Sequence, residues 1–151
     1  MKKFPFIIVF VLSCFTIMAQ EITWVNDPAH SRLSFVIKHL TISEVDGRFT
    51  DFSVKVTTSK ADHLDAHVEL TAKVASIDTD VEMRDNHLRS ADFFDAEKYP
   101  ELTFVSTSLE KTGENEGKMY GSLTFHGITK PVILDVTYFG SVENPADKKV
   151  T

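Results

Sequence analysis

The 151-residue chain has one cysteine, Cys14, and it lies inside the opening apolar run. Beyond that run there is no thiol for a disulfide, a thiolate metal site or a cysteine nucleophile. Basic runs are also missing. The formal charge is −6, with 16 Lys and Arg against 22 Asp and Glu. Such a balance argues against nucleic acid and against anionic membrane surfaces as partners. There is no HExxH pair, no GxSxG elbow and no glycine-rich phosphate loop.

The first residues have a different logic from the rest. Lys2 and Lys3 make a positive start, Phe4 to Met18 is almost wholly apolar, and Ala19 is a small residue at a suitable cut. These are the parts of a secretory signal peptide, and the run is short for a membrane span. The expectation is a signal peptide over 1–19, a single domain over 20–151 and export to a periplasm. Val11-Leu12-Ser13-Cys14 loosely resembles a lipoprotein cleavage site, but Leu12 is bulky there and the apolar run continues past the cysteine. Cleavage after Ala19 is the preferred reading. Removing two lysines takes the formal charge from −6 to −8. An exported chain without disulfides needs a real apolar core, which a domain of about 130 residues can supply.

The dominant period after the signal is two. Leu33, Phe35 and Ile37 alternate with Ser34, Val36 and Lys38. The same alternation places Phe52, Val54 and Val56 together, then Ala66, Val68, Leu70, Ala72 and Val74. It recurs at Met119, Gly121, Leu123 and Phe125, and at Val132, Leu134 and Val136. Side chains alternate across a strand, so these are half-buried strands. Strands are expected near 21–25, 31–40, 48–58, 64–77, 102–111, 117–126 and 131–141, with turns at Asp46-Gly47, 113–117 and 126–131. Lys148 to Thr151 reads as the start of another. An antiparallel meander of this kind escapes its exposed edges by curling into a barrel.

One connection breaks the rhythm. Thr79-Asp-Val-Glu82 fits a capping box, and Asp80/Arg84 and Asp85/Arg89 are acid-then-base pairs at helical spacing. A helix is expected at about 80–89, within a helical insertion spanning about 80–99 that stops before Pro100.

Catalytic and metal chemistry is thin. His63 and His67 would share a strand face, while His30, His39, His87 and His126 are scattered. No metal site and no cofactor are expected. Asp92 and Asp95 could work as an acid/base pair, but aspartates in a turn commonly bond nearby backbone N–H groups. No catalytic residue is assigned. Eight phenylalanines, from Phe35 to Phe139, could fill a small core, whereas Ala66, Ala72 and Gly121 on the apolar phase would leave room inside. The residues alone leave a solid core and a ligand cavity both open.

The motifs then match a known family. Asp27-Pro-Ala-His30-Ser31, Phe35-Val-Ile-Lys-His39, Gly47-Arg-Phe49, Arg84-Asp-Asn-His87-Leu-Arg-Ser-Ala-Asp-Phe93-Phe94-Asp95, Tyr99-Pro100 and Leu123-Thr-Phe-His126-Gly-Ile-Thr-Lys-Pro131 resemble the YceI-like, or polyisoprenoid-binding, proteins. The resemblance runs from about Trp24 to Phe139. It implies an all-β, lipocalin-like antiparallel barrel with an apolar tunnel, a periplasmic location, and no established reaction. The implied ligand is an amphiphile such as a polyprenyl phosphate, an isoprenoid quinone or a fatty-acid-like lipid. Family members continue past the equivalent of Thr151 with strands that close the barrel, so those strands are expected to be missing here.

The inward phases assign the lipid tail to Phe35, Ile37, Phe52, Val54, Val68, Leu70, Phe104, Leu123, Phe125 and Leu134, with Phe93 and Phe94 plugging the insertion into the interior. The expected head-group contacts are Arg84, His87 and Arg89, with His39 as an outlying candidate. A transient membrane partner and a homodimer through an open barrel edge are compatible with this reading. The alternatives are a small periplasmic enzyme acting on a lipid or quinone through His87, Asp92 and Asp95, or an accessory partner of a membrane redox protein.

Overall fold

A computed structural model of the chain describes residues 21–142. The expected signal peptide, Cys14 and the strand start at 148–151 lie outside those residues. The elements are β1 (Ile22–Val25), β2 (Leu33–His39), β3 (Ser43–Phe49), β4 (Phe52–Thr58), β5 (His67–Lys73), β6 (Ile77–Asp78), α1 (Glu82–Arg89), β7 (Glu101–Lys111), β8 (Glu116–Phe125) and β9 (Ile128–Thr137). All strand pairs are antiparallel.

Six strands form one sheet in the order β1-β4-β5-β7-β8-β9, and three form a second in the order β2-β3-β6. Among the described residues no strand pair joins the two sheets, so the barrel is open. The expected meander is the run β4-β5-β7-β8-β9. Its strands keep their apolar positions on one side, and its connections are short except between β5 and β7, where residues 74–100 carry a 3-10 turn, β6 and α1. Val54 pairs with Leu70, Leu70 with Phe104, and Phe104 with Leu123, a row across four strands on one face.

The second sheet corrects two expectations. Asp46-Gly47 is not a turn. It lies in the middle of β3, with Gly47 opposite Phe35. A Cβ on Gly47 would stand 2.2 Å from Cζ of the Phe35 ring, so the glycine permits close approach of an aromatic ring. The turn falls instead at Leu40 and Thr41, both at positive φ. The expected strand 64–77 is also interrupted. After β5 the chain makes a 3-10 turn at Val74–Ser76 and crosses to the second sheet, where Ile77 pairs with Phe49 and Asp78 with Arg48.

The helix forms where expected, but neither the capping box nor the two ion pairs does. Val81 is the N-cap, without a side-chain cap bond. Asp85 turns inward and accepts the Thr79 N–H at 2.9 Å and the Thr79 hydroxyl at 2.5 Å. Arg84 donates to the Thr79 hydroxyl at 2.7 Å and to its carbonyl at 2.5 Å. Thr79 is therefore occupied before Glu82 could share it. Asp80 pairs with Arg48 at 3.1 Å, and Arg89 donates to the carbonyls of Ala75 and Ile77. These bonds pin α1 to the second sheet.

Packing is densest where that helix and the second sheet meet the first. Phe49, Ala72 and Ile77 form a buried cluster, with Leu33, Phe35, Phe52, Leu70, Leu88, Phe94, Leu102 and Phe125 against it. Phe94 and Phe125 have ring centroids 4.7 Å apart. Phe93 does not plug the interior as expected. Its ring packs edge-on against His87 at 4.7 Å and stays 47% exposed.

Candidate functional site: an apolar cavity at the loop end

The inner face of the six-stranded sheet continues past this core. Trp24 pairs with Val56 and Val56 with Val68, while Leu109 pairs with Met119 and Gly117 with Val136. These residues wall a cavity of about 780 Å³. Among the described residues, none from α1, β2, β3 or β6 is in the lining here. Ligand sites commonly fall between about 300 and 1,000 Å³, and β-barrel mouths are frequent places for them. The rest of the lining comes from Thr23 and Val25 of β1, Lys111 and Glu116 at the facing ends of β7 and β8, the β1–β2, β4–β5 and β7–β8 connections, and residues just after β9.

Two local devices shape this end. The first is a bulge in β7 between Ser106 and Ser108. There the buried Ser106 hydroxyl accepts the Val68 N–H at 2.8 Å, replacing a ladder bond. The second is the β4–β5 connection. Asp65 accepts from the Thr58 hydroxyl, from the Ser59 N–H at 2.9 Å, from the Ser59 hydroxyl at 2.7 Å and from the Lys60 N–H at 3.3 Å. These bonds, led by the Thr58 and Ser59 hydroxyls, hold its carboxyl well below the usual carboxylate range.

The folded connection presents His63 at φ +57°. Its ring stands edge-on to Trp24 at 5.2 Å and to Tyr138 at 5.5 Å. His63 thus ties strand β1 to the chain beyond β9, the two edges of the sheet. Its Nδ1 is buried without a hydrogen-bond partner.

The expected site residues divide between the two ends. Val68 lines the cavity. Phe35, Phe52, Leu70, Phe94 and Phe125 pack against the buried cluster at the helix end, and Phe104 is itself buried. Val54 and Leu123 occupy the shared row between. Ile37 and Leu134 are 50% and 44% exposed, and among the described residues β2 and β9 each have a strand neighbour on one side only. Arg84 and Arg89 are engaged with protein acceptors as described above. His87 stands 3.8 Å from Asp92, both side chains exposed, and His39 is exposed at the end of β2. The structure therefore does not bring the four head-group candidates to the cavity.

Trp24, Val56, Leu109, Met119, Val136 and Tyr138 line the cavity without having been singled out as tail residues. Val56, Met119 and Val136 were visible in the alternation. The wall itself was not, because strands distant in sequence contribute to it. Among the described residues no group of three or more His, Cys, Asp or Glu is placed to hold a metal ion. No helix among them is long and apolar enough to cross a membrane.

A family model described as the YceI-like domain matches residues 24–151. A UPF0312 protein of Pseudomonas fluorescens is 37% identical over 140 residues, covering 89% of this chain and 71% of that protein. Against a second UPF0312 protein, from Photorhabdus laumondii and 42% identical over 116 residues, 77% of this chain and 60% of the relative are covered. The crystal structure of Burkholderia cenocepacia BcnA superposes with a TM-score of 0.69 at 31% identity, covering 80% of this chain and 73% of that one. A polyisoprenoid binding domain from Saccharophagus degradans shares the fold, with a TM-score of 0.57 at 20% identity over 78% of this chain and 68% of that one. With the family model covering nearly all of the described fold, the chain belongs to the YceI-like family.

Proposed function

We propose that this protein binds a long-chain, isoprenoid-type lipid in the loop-end cavity and acts as a periplasmic carrier or sequestering protein. The observation that carries the reading is the cavity itself, about 780 Å³ and walled by Trp24, Val56, Val68, Leu109, Met119 and Val136. An apolar tail entering it leaves water, a gain of about 0.8 kcal/mol for each CH₂ buried. Affinity then rises with tail length until the space is full. Similar tails are poorly distinguished, because apolar walls discriminate weakly between homologous chains. The Saccharophagus degradans domain supports the fold's capacity for such a ligand. Export through the expected signal peptide would put the protein where lipid must cross an aqueous space. No step of this function needs a reaction.

Native mass spectrometry of the full chain purified from its own cell envelope tests the reading. Lipid adducts on the folded protein are expected, together with a mass showing removal of residues 1–19. A protein that carries no lipid and takes up none from a mixed-lipid panel would sink the binding function. Retention of the leader or recovery from the cytoplasm would sink the location alone.

A further inference from the structure

The charges around the cavity say something about the head group, given that the cavity holds a lipid as proposed above. Among the described residues, its lining contains Asp27, Asp62, Glu114 and Glu116 against a single ammonium, Lys111. Asp27 accepts from His30 at 2.7 Å and from the Ala29 N–H at 2.8 Å, bonds that hold its carboxyl below the usual range. It is therefore charged at neutral pH. A phosphate arriving at this rim brings one or two more negative charges into a field already negative.

Three of the four arginines are occupied away from the cavity, and the fourth, Arg32, is exposed next to Ser31 in the sequence but is not part of the lining. Arg48 is paired with Asp78 and Asp80, Arg84 with Thr79, and Arg89 with backbone carbonyls. Among the described residues, the lining holds no guanidinium fork of the kind suited to phosphate.

Neutral polar groups are present in its place. Asn26 already accepts the Val54 N–H at 2.7 Å through its side-chain oxygen, which leaves the amide NH₂ as a donor. Ser31, Asn115 and Ser141 add uncharged polar side chains to the same lining. Donors of this kind satisfy the oxygen of a hydroxyl, carbonyl or amide without needing a counter-charge.

We infer that the loop-end cavity selects lipids with an uncharged oxygen head group and rejects phosphorylated ones, through the acidic rim of Asp27, Asp62, Glu114 and Glu116. The inference rests on the proposed lipid binding and goes beyond it in naming the head-group class.

The test compares farnesol with farnesyl phosphate on the full chain. Trp24, the chain's one tryptophan, lines the cavity, so its fluorescence reports occupancy. Farnesol should bind at least ~10-fold more tightly at low ionic strength, and added salt should narrow the gap because exposed charges are screened. The exposed pair Glu114→Lys/Glu116→Lys should narrow it further by improving phosphate binding, read as the ratio of the two affinities in the same variant. Equal or tighter binding of farnesyl phosphate by the wild type overturns the selection and leaves lipid binding standing. Binding of neither probe overturns both. A gap that persists unchanged in the double variant removes the rim as its cause and likewise overturns the inference.

Discussion

The two ends of the six-stranded sheet are built from the same alternation and reach opposite outcomes. At the helix end Ala72 and Ile77 are fully buried, and the ring of Phe104 fills the space over Gly121, whose Cβ would stand 2.4 Å from it. At the loop end Val68, Leu109 and Val136 face a cavity. Hydrophobicity does not distinguish the ends. Among the described residues, the difference is what lies against the sheet: α1, the second sheet and Phe94 at one end, and connecting loops with the residues just after β9 at the other. A strand pattern specifies which side chains face inward. What those side chains meet depends on covering elements from elsewhere in the chain.

This contrast makes its strongest prediction through paired truncations. Ile77→Ala removes a fully buried side chain from the packed end and should cost about 2–5 kcal/mol. Leu109→Ala at the cavity wall should cost less than half as much, because its side chain already borders open space. Urea unfolding of both variants measures the difference. Equal costs would mean that the loop end is as well packed as the helix end.

A smaller effect should come from the polar clamp that holds the covering helix. Asp85 is 5% exposed and takes both the N–H and the hydroxyl of Thr79. Asp85→Ala leaves those donors buried, at a cost of about 1–3 kcal/mol. Hydrogen exchange should show the loss concentrated in α1 and β6 rather than at the loop end. Uniform loss of protection would argue against two separable ends.

Filling the cavity should have the reverse signature. Val68→Phe adds volume where space exists, so stability should change by less than about 1 kcal/mol, while tail binding falls ~10-fold or more. Fluorescence titration beside thermal unfolding separates the two readouts. Unchanged affinity would place the bound tail elsewhere.

How much of this was legible in the sequence follows the same division. The row Val54, Leu70, Phe104 and Leu123 was readable, because alternation needs no knowledge of partners. The helix was readable from its local spacing. The roles of single residues were not. Gly47 carries the same signal whether it makes a turn or admits the Phe35 ring, and only the pairing of β2 with β3 decides. Thr79 and Glu82 fit a capping box until Asp85 and Arg84 occupy Thr79 first. Arg89 had a helical partner available in Asp85, yet bonds carbonyls 12 and 14 residues away. Small residues were equally ambiguous. Ala66 does line the cavity, whereas the space at Ala72 and Gly121 is taken by packed neighbours. The cavity depends on such longer-range arrangements, and so do the head-group candidates.

The mildest test concerns the loop that frames the cavity. Asp65 holds the β4–β5 connection through hydroxyl and N–H donors, and its carboxyl is depressed below the ordinary value near 3.8. A carboxyl with a lower pKa folded than unfolded stabilises the fold at neutral pH. That contribution fades as pH falls below about 4 and is lost once the folded carboxyl itself is protonated. The wild type should therefore lose stability on acidification with a steeper slope than Asp65→Asn, which has no charge to lose. Because the connection carries Asp62, His63 and Leu64 into the lining, the variant should also bind farnesol a few-fold more weakly at neutral pH. The packed end has no part in this loop, so exchange protection of Ile77 and Phe49 should not change. Loss of protection there would mean that the loop and the core unfold as one unit, and the distinction between the two ends would be structural only.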